Sequence, residues 1–219
     1  MDLSAMEEER YMTKKERAGI IIEILEKEYP DTGCSLEFDE PWKLLVSVRL
    51  AAQCTDERVN IVVKELYKKY DSPQALAEAS PEDIEKIVRP CGLGKSKARD
   101  IHKCMNQIVH DFGGKVPDNF DDLMSLAGVG RKSANLIMGD IYGKPAIVTD
   151  THCIRLVNRM GLVDGIKDPT KVERELWKII PPEKSNDFCH RLVDHGRAVC
   201  KAREPECEKC ALNFSCKKR

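Results

Sequence analysis

L-A-G-V-G-R-K-S-A-N, residues 126–135, joins the end of one helical segment to the start of the next. Gly128 and Gly130 let the main chain turn tightly and approach another molecule closely, since glycine has no Cβ to obstruct either. The amides that open the following helix have no partner inside it and point outward, with the positive end of the helix dipole behind them. Such a turn suits a phosphate group, and Arg131 and Lys132 add side-chain charge at the same place. A fainter copy lies upstream: G-L-G-K-S-K-A at 92–98 aligns with G-V-G-R-K-S-A at 128–134. Short Gly-x-Gly turns arise often by chance, so the weight rests on the chemistry of the turn rather than on its repetition.

Around these turns nearly every segment has helical periodicity, and no credible strand or hairpin of strands is present. Thr13 to Glu16 forms a capping box that opens a helix to about Glu28, with Ile20, Ile21, Ile24 and Leu25 facing inward. A second helix is expected from Trp42 to about Gln53, and a third from near Asp56 with Val59, Val62, Val63 and Leu66 on one face. Ser80-Pro81 is a cap followed by a first-turn proline, leading a short helix to about Arg89. Further helices fit 96–112, 119–126, 131–142, 151–160, 169–180 and 185–199, and only Ala146 to Val148 looks extended. The expected class is all-α.

The chain has 219 residues, enough for one large or two small domains. Charged residues make up 33% and hydrophobic residues 42%, and no apolar run approaches the length of a membrane span. Net charge is −1, but it is unevenly spread: residues 1–40 hold 5 Lys/Arg against 12 Asp/Glu, and the remainder holds 31 against 25. A basic remainder is compatible with a polyanionic partner, although solvated helix faces give similar runs.

Cys200, Cys207, Cys210 and Cys216 are spaced C-x6-C-x2-C-x5-C in a segment of mostly polar and charged residues. A loop that short has no core for four thiols to fill, and thiolates are the ligands of iron–sulfur clusters and structural zinc. Disulfides fit poorly. The first residues, M-D-L-S-A-M-E-E-E-R, hold no apolar run behind a basic start, and Cys34, Cys54, Cys91, Cys104, Cys153 and Cys189 are scattered singly, as in a reducing cytosol. Spacing alone favours iron–sulfur over zinc without excluding zinc, because only Cys207 to Cys210 forms a C-x2-C knuckle.

Two residues carry candidate reaction chemistry. Lys132 sits in the first turn after Gly130, where the helix dipole disfavours a protonated amine and, with partial desolvation, favours a nucleophilic one. By position alone it reads more readily as a surface lysine touching phosphate. Asp150, in V-T-D-T-H, stands at the start of another helix, where a carboxylate commonly acts as a cap. An amine paired with a carboxylate beside a phosphate site is a more specific combination than either alone.

L-A-G-V-G-R-K-S-A-N (126–135), V-T-D-T-H (148–152) and the four-cysteine tail, in that order, resemble the endonuclease III family of helix–hairpin–helix DNA glycosylases. The resemblance runs from L-A-A-Q-C-T-D (50–56) to Cys216. It implies two helical domains with a DNA-binding cleft between them, one at 34–145 containing the helix–hairpin–helix (about 119–142), the other joining 1–33 to 146–219. It implies a [4Fe–4S] cluster on Cys200, Cys207, Cys210 and Cys216. Lys132 would attack C1′ of a damaged nucleotide and form a Schiff base, Asp150 would assist, and β-elimination would then nick the strand. Gln53 and Leu93 would fill the gap left by the flipped nucleotide. Gly128, Gly130 and Arg131 of the hairpin, and His152, would contact the DNA backbone.

The activity so implied is that of a bifunctional DNA glycosylase and apurinic/apyrimidinic lyase of base excision repair, acting on oxidised pyrimidines or abasic sites in double-stranded DNA. The expected form is a cytoplasmic monomer, nucleoid-associated in a prokaryote, without a membrane partner. An adenine-mismatch glycosylase normally lacks the lysine and carries a further C-terminal domain, and a non-enzymatic iron–sulfur regulator would not need Lys132 and Asp150 together. Three departures from the family pattern stand out. Ala127 replaces a usual proline, implying a less rigid hairpin; Ser133 replaces threonine; and Gly94-Lys95 replaces a bulkier pair.

Overall fold

The computed structural model describes residues 12–216; the acidic start (1–11) and the basic Lys217, Lys218 and Arg219 lie outside the described residues. Every regular element among the described residues is helical. The chain divides into two compact units, Cys34–Lys144 and the pair Met1–Gly33 with Pro145–Arg219.

The Cys34–Lys144 unit contains α2 (Pro41–Ala51), α3 (Asp56–Lys69), α4 (Pro73–Glu78), α5 (Pro81–Val88), α6 (Gly94–Asp111), α7 (Phe120–Ser125) and α8 (Arg131–Asp140). Local chemistry starts most of them. Thr55, Ser72, Ser80 and Asn119 each accept a hydrogen bond from a first-turn amide of α3, α4, α5 and α7, which satisfies a donor the helix cannot. α6 lies at the centre, packed against α4, α5 and α2, while α2 also meets α3 and α8. Leu44, Leu50, Leu66, Leu76, Ile84 and Met105 are fully buried there, each worth about 1.5–3 kcal/mol in water-excluded apolar surface.

The second unit contains α1 (Lys14–Glu28), α9 (Thr151–Arg159), α10 (Pro169–Leu176) and α11 (Ser185–Ala198). The capping box forms as expected, with Thr13 Oγ1 accepting from Glu16 N and Glu16 Oε2 accepting from Thr13 N. α11 packs against both α1 and α9. Lys184 donates to Glu26 at 2.7 Å, and Arg191 Nε donates to the carbonyl of Tyr29 at 3.1 Å.

As expected, Ala146–Val148 lies outside any helix and founds no sheet among the described residues; Ala146 N donates to Ser185 Oγ and Val148 N to Cys189 Sγ, so side chains of α11 satisfy its amides. Several helix bounds are corrected. α2 ends at Ala51 rather than Gln53 because Gln53 takes φ +58°, which no α-helix accommodates. α10 ends at Leu176 rather than 180, after which Lys178 N bonds to Glu175 O and the last turn tightens. The short α4 was not expected, although Ser72-Pro73 is the same cap-and-proline signal as Ser80-Pro81.

Candidate functional site

The hairpin between α7 and α8 is built as its residues dictate. Val129 N donates to Leu126 O at 3.2 Å, closing a tight turn on Gly128, which has φ +75°. Glycine is required there twice over, by that φ and by space. A Cβ would lie 2.8 Å from Arg49 Cδ and 2.9 Å from Asp100 Cβ, where Arg49 Nη2 and Asp100 pair at 2.6 Å. Gly130 is the N-cap of α8 and supplies no side-chain cap, so the opening turn of α8 begins uncapped beside exposed Gly128, Gly130, Arg131 and Lys132. The Arg131 guanidinium lies 4.9 Å from the centre of the Phe120 ring, a cation–π contact that steers it back over α7.

Ala127 was expected to loosen this hairpin. The structure shows a substitute for the missing ring: Ala127 N donates to Gln107 Oε1 at 2.8 Å, and Gln107 Nε2 donates to Ser125 O at 3.1 Å. Proline has no N–H and could not make the first bond. One amide side chain of α6 thus grips the hairpin on both its polar groups.

Lys132 itself is exposed, so the partial desolvation a nucleophilic amine calls for is not supplied by its immediate surroundings. Asp150 belongs to the other unit, where it caps α9: its Oδ1 accepts from Cys153 N at 2.7 Å. The capping reading therefore holds, and the positive helix end keeps company with the carboxylate. His152, on the first turn of α9, accepts at Nδ1 from Arg155 Nη2 at 3.1 Å.

Gln53 and Leu93 share a distinction that their residue types do not announce. They are the non-glycine residues with positive φ among the described residues, at +58° and +51°. Both are exposed, Leu93 by 56%. An exposed leucine held in the left-handed region is costly on both counts, and such strain concentrates at functional positions. The Gly92 turn precedes it with φ +73°. Gly94, which opens α6, leaves only 3.1 Å between a notional Cβ and Arg89 Cα, so the bulkier pair usual in the family would not fit unchanged.

The tail from Cys200 has short 3-10 turns at Cys207–Lys209 and Asn213–Ser215. α9 grips its beginning. Arg155 Nη2 donates to the carbonyls of Gly196 and Cys200, and Arg159 donates to Cys200 Sγ at 3.1 Å and to the carbonyls of Lys201 and Ala202. The buried His195 ring joins Tyr29 Oη at 3.0 Å to Cys210 Sγ at 3.4 Å, and burial pulls its pKa down, keeping the imidazole neutral. Burial, then the charge of the three other tail thiols, pushes the Cys210 thiol up. Among the described residues no set of three or more His, Cys, Asp or Glu closes on a single metal ion. An all-sulfur donor set with arginine and imidazole donors beside it is the chemistry an iron–sulfur cluster takes. The tail is less freely basic than its composition implied: Glu206 accepts from Lys201 at 2.6 Å and Lys209 at 2.7 Å, which holds its carboxyl down to about 2.

Arg155, Arg159, His195 and Gln107 escape a reading of the sequence, since each works through a partner distant along the chain. The i, i+4 spacing of Arg155 and Arg159 was the one available signal.

An all-helical fold in which a glycine hairpin feeds an uncapped helix start offers an anion-binding turn, and the comparisons place that fold among DNA-repair proteins. Residues 46–182 match the HhH-GPD superfamily of base excision DNA repair proteins. The chain is 42% identical to Endonuclease III of Synechocystis sp. over 205 residues, 93% of each chain. It is 38% identical to that of Bacillus subtilis over 189 residues, 86% of each. Its fold matches a solved non-covalent Endonuclease III–DNA complex with a TM-score of 0.90 at 38% identity, covering 94% of this chain and 96% of the other. A trapped Endonuclease III–DNA covalent intermediate matches equally, at 0.90 and 38%. The chain belongs to the endonuclease III family. Among the described residues, no helix is long and apolar enough to cross a membrane.

Proposed function

We propose that this chain excises oxidised pyrimidines from double-stranded DNA and nicks the resulting abasic site, with Lys132 as the nucleophile. It is a bifunctional DNA glycosylase and apurinic/apyrimidinic lyase of base excision repair, acting in the cytoplasm as a monomer. The observation that carries the residue assignment is the turn itself: an exposed lysine on the uncapped first turn of α8, immediately after a glycine hairpin clamped by Gln107.

Main-chain amides of the hairpin and opening turn, with Gly128, Gly130 and Arg131, bind backbone phosphates irrespective of sequence. The bound duplex covers the exposed Lys132 amine and excludes water from it. The damaged nucleotide leaves the stack, and Gln53 and Leu93 occupy the space it vacates. The Lys132 amine forms a bond to C1′ as the glycosidic bond breaks and the base departs with its electron pair. Loss of a proton from nitrogen and opening of the sugar ring give the Schiff base. Removal of a C2′ proton then expels the 3′ phosphate. Asp150, at the head of α9, assists the amine and offsets positive charge developing on the sugar. His152 contacts the backbone.

Cys200, Cys207, Cys210 and Cys216 hold a [4Fe–4S] cluster. When bound it cross-links a segment that has no apolar core of its own, and Arg155, Arg159 and His195 orient the ligands from outside.

Borohydride trapping on a duplex with one abasic site tests the assignment. Intact protein gives a covalent adduct, and Lys132→Ala gives none. An adduct that persists in the variant would sink Lys132 as nucleophile, and no adduct with intact protein would refute the lyase reaction. Iron and sulfide analysis with a visible absorption band tests the cluster; stoichiometric zinc would overturn it.

A further inference from the structure

Among the described residues, one of the largest fully buried side chains is a lysine. Lys97 lies in the first turn of α6, wholly shielded from solvent. Its Nζ donates to the carbonyl of Leu50 and to the carbonyl of Cys91, each at 2.8 Å. Neither acceptor is arbitrary. Leu50 lies in the last turn of α2, whose last carbonyls have no helical partner, and it precedes Gln53 by three residues. Cys91 precedes Leu93 by two and closes the 3-10 turn Arg89–Cys91. The main chain of the same lysine donates to Leu93 O at 3.0 Å.

A buried ammonium is expensive, and burial draws the Lys97 pKa down. No carboxylate among the described residues pairs with it. Burial first and the neighbouring Cys54 thiol second push the Cys91 thiol up, so that group stays neutral and offers no counter-charge. A methionine would fill the same space without the desolvation cost. What the lysine does that methionine cannot is tie the turn that carries Gln53 to the turn that carries Leu93, each strained at positive φ.

We propose that Lys97 is a positioning residue for base extrusion, holding the Gln53 and Leu93 turns at one fixed separation so that both can enter the stack together. The proposal rests on the roles given above to Gln53 and Leu93. Pushing a base out of a duplex works against its stacking and pairing. Two turns that yield under that load would retract instead. Bonded to one ammonium, they move as a single rigid body with α6 behind them.

The test compares two DNA substrates under single turnover with Lys97→Met. One is a duplex with dihydrouracil paired opposite guanine, which must be flipped; the other carries a preformed abasic site, where no base has to leave. Base release from the paired lesion is expected to fall by on the order of tenfold or more, with a several-fold smaller loss on the abasic site. Placing the lesion in a bulge should restore most of the lost rate. Leu93→Ala should show the same substrate split, and adding Lys97→Met to it should cost little more. Equal losses on both substrates, with helicity retained, would overturn the proposal and make Lys97 a core residue only; so would no loss on either. Should Lys97→Met fail to fold, Lys97→Gln, which keeps a donor but lacks the reach, is read by the same ratio. Failure of the underlying reading is distinct, since Leu93→Ala would then show no substrate split.

Discussion

The two Gly-x-Gly turns begin from nearly the same sequence and end as opposite devices. At 92–98 the chain projects its apolar residue and hides its lysine: Leu93 is exposed at φ +51° and Lys97 is buried. At 128–134 the apolar Val129 is half-buried and Lys132 is exposed. In the first copy the left-handed residue after Gly92 is the N-cap of α6, which throws a side chain outward. In the second, Gly128 takes the left-handed turn and Gly130 is extended at φ −106°, which leaves a flat, uncapped helix start. Both first glycines have positive φ, and one further left-handed residue, Leu93, separates a wedge from an anion site. The lesson is that a turn motif specifies a tight reversal, while the φ of each residue decides what the reversal presents.

Lys132→Ala is the largest blow to this contrast, expected to lower strand nicking at an abasic site by at least about a thousandfold. The exposed Lys95 of the other turn aligns with Arg131; Lys95→Ala should cost only a few-fold, and less as salt rises, as for a phosphate contact. Gel assays of nicking at two salt concentrations check both. Similar losses from the two variants would erase the distinction between the turns.

Next come the glycines. Gly128→Ala meets both a forbidding φ and the Arg49–Asp100 pair, for a destabilisation of about 2–4 kcal/mol. Gly92→Ala meets the same kind of φ but open space, and should cost about 1–2 kcal/mol. Denaturant unfolding ranks them, and a reversed order would show that the Arg49–Asp100 pair yields freely.

The smallest effect concerns pH. The folded-state pKa of Lys97 is depressed, so between that pKa and the unfolded value of about 10.4 the unfolded chain binds more protons. Stability should therefore gain a component that rises with pH through this alkaline window and is absent below it. Urea titrations of intact protein and Lys97→Met, differenced at successive alkaline pH values, should show the gain only in the former. A flat difference would mean that the ammonium is better solvated than its burial implies.

Much of this was legible in the sequence because its causes are local. Thr13–Glu16, Ser80-Pro81 and Asp150 cap helices through atoms three residues away. The expected helices α1, α5 and α9 accordingly begin where their caps stand, while α4 was missed despite the same signal in Ser72-Pro73. The four tail cysteines and the Lys132 turn also announced themselves by spacing. Lys97 did not: in K-S-K, three residues into a helix, it reads as a solvated face. Nothing local marks Gln107 as the residue that grips Ala127 N, or His195 as the bridge from Tyr29 to Cys210.

By itself the sequence determined the helical class, the family and the residue types that chemistry needs, since periodicity, caps and spacing act within a few residues. Only the tertiary structure decided which lysine is exposed and which is buried, and that Gln53 and Leu93 alone among the described non-glycine residues are held at positive φ. Those outcomes depend on desolvation and on carbonyls dozens of residues apart along the chain, Leu50 and Cys91 meeting one ammonium. Packing creates such partners; no spacing in the sequence contains them.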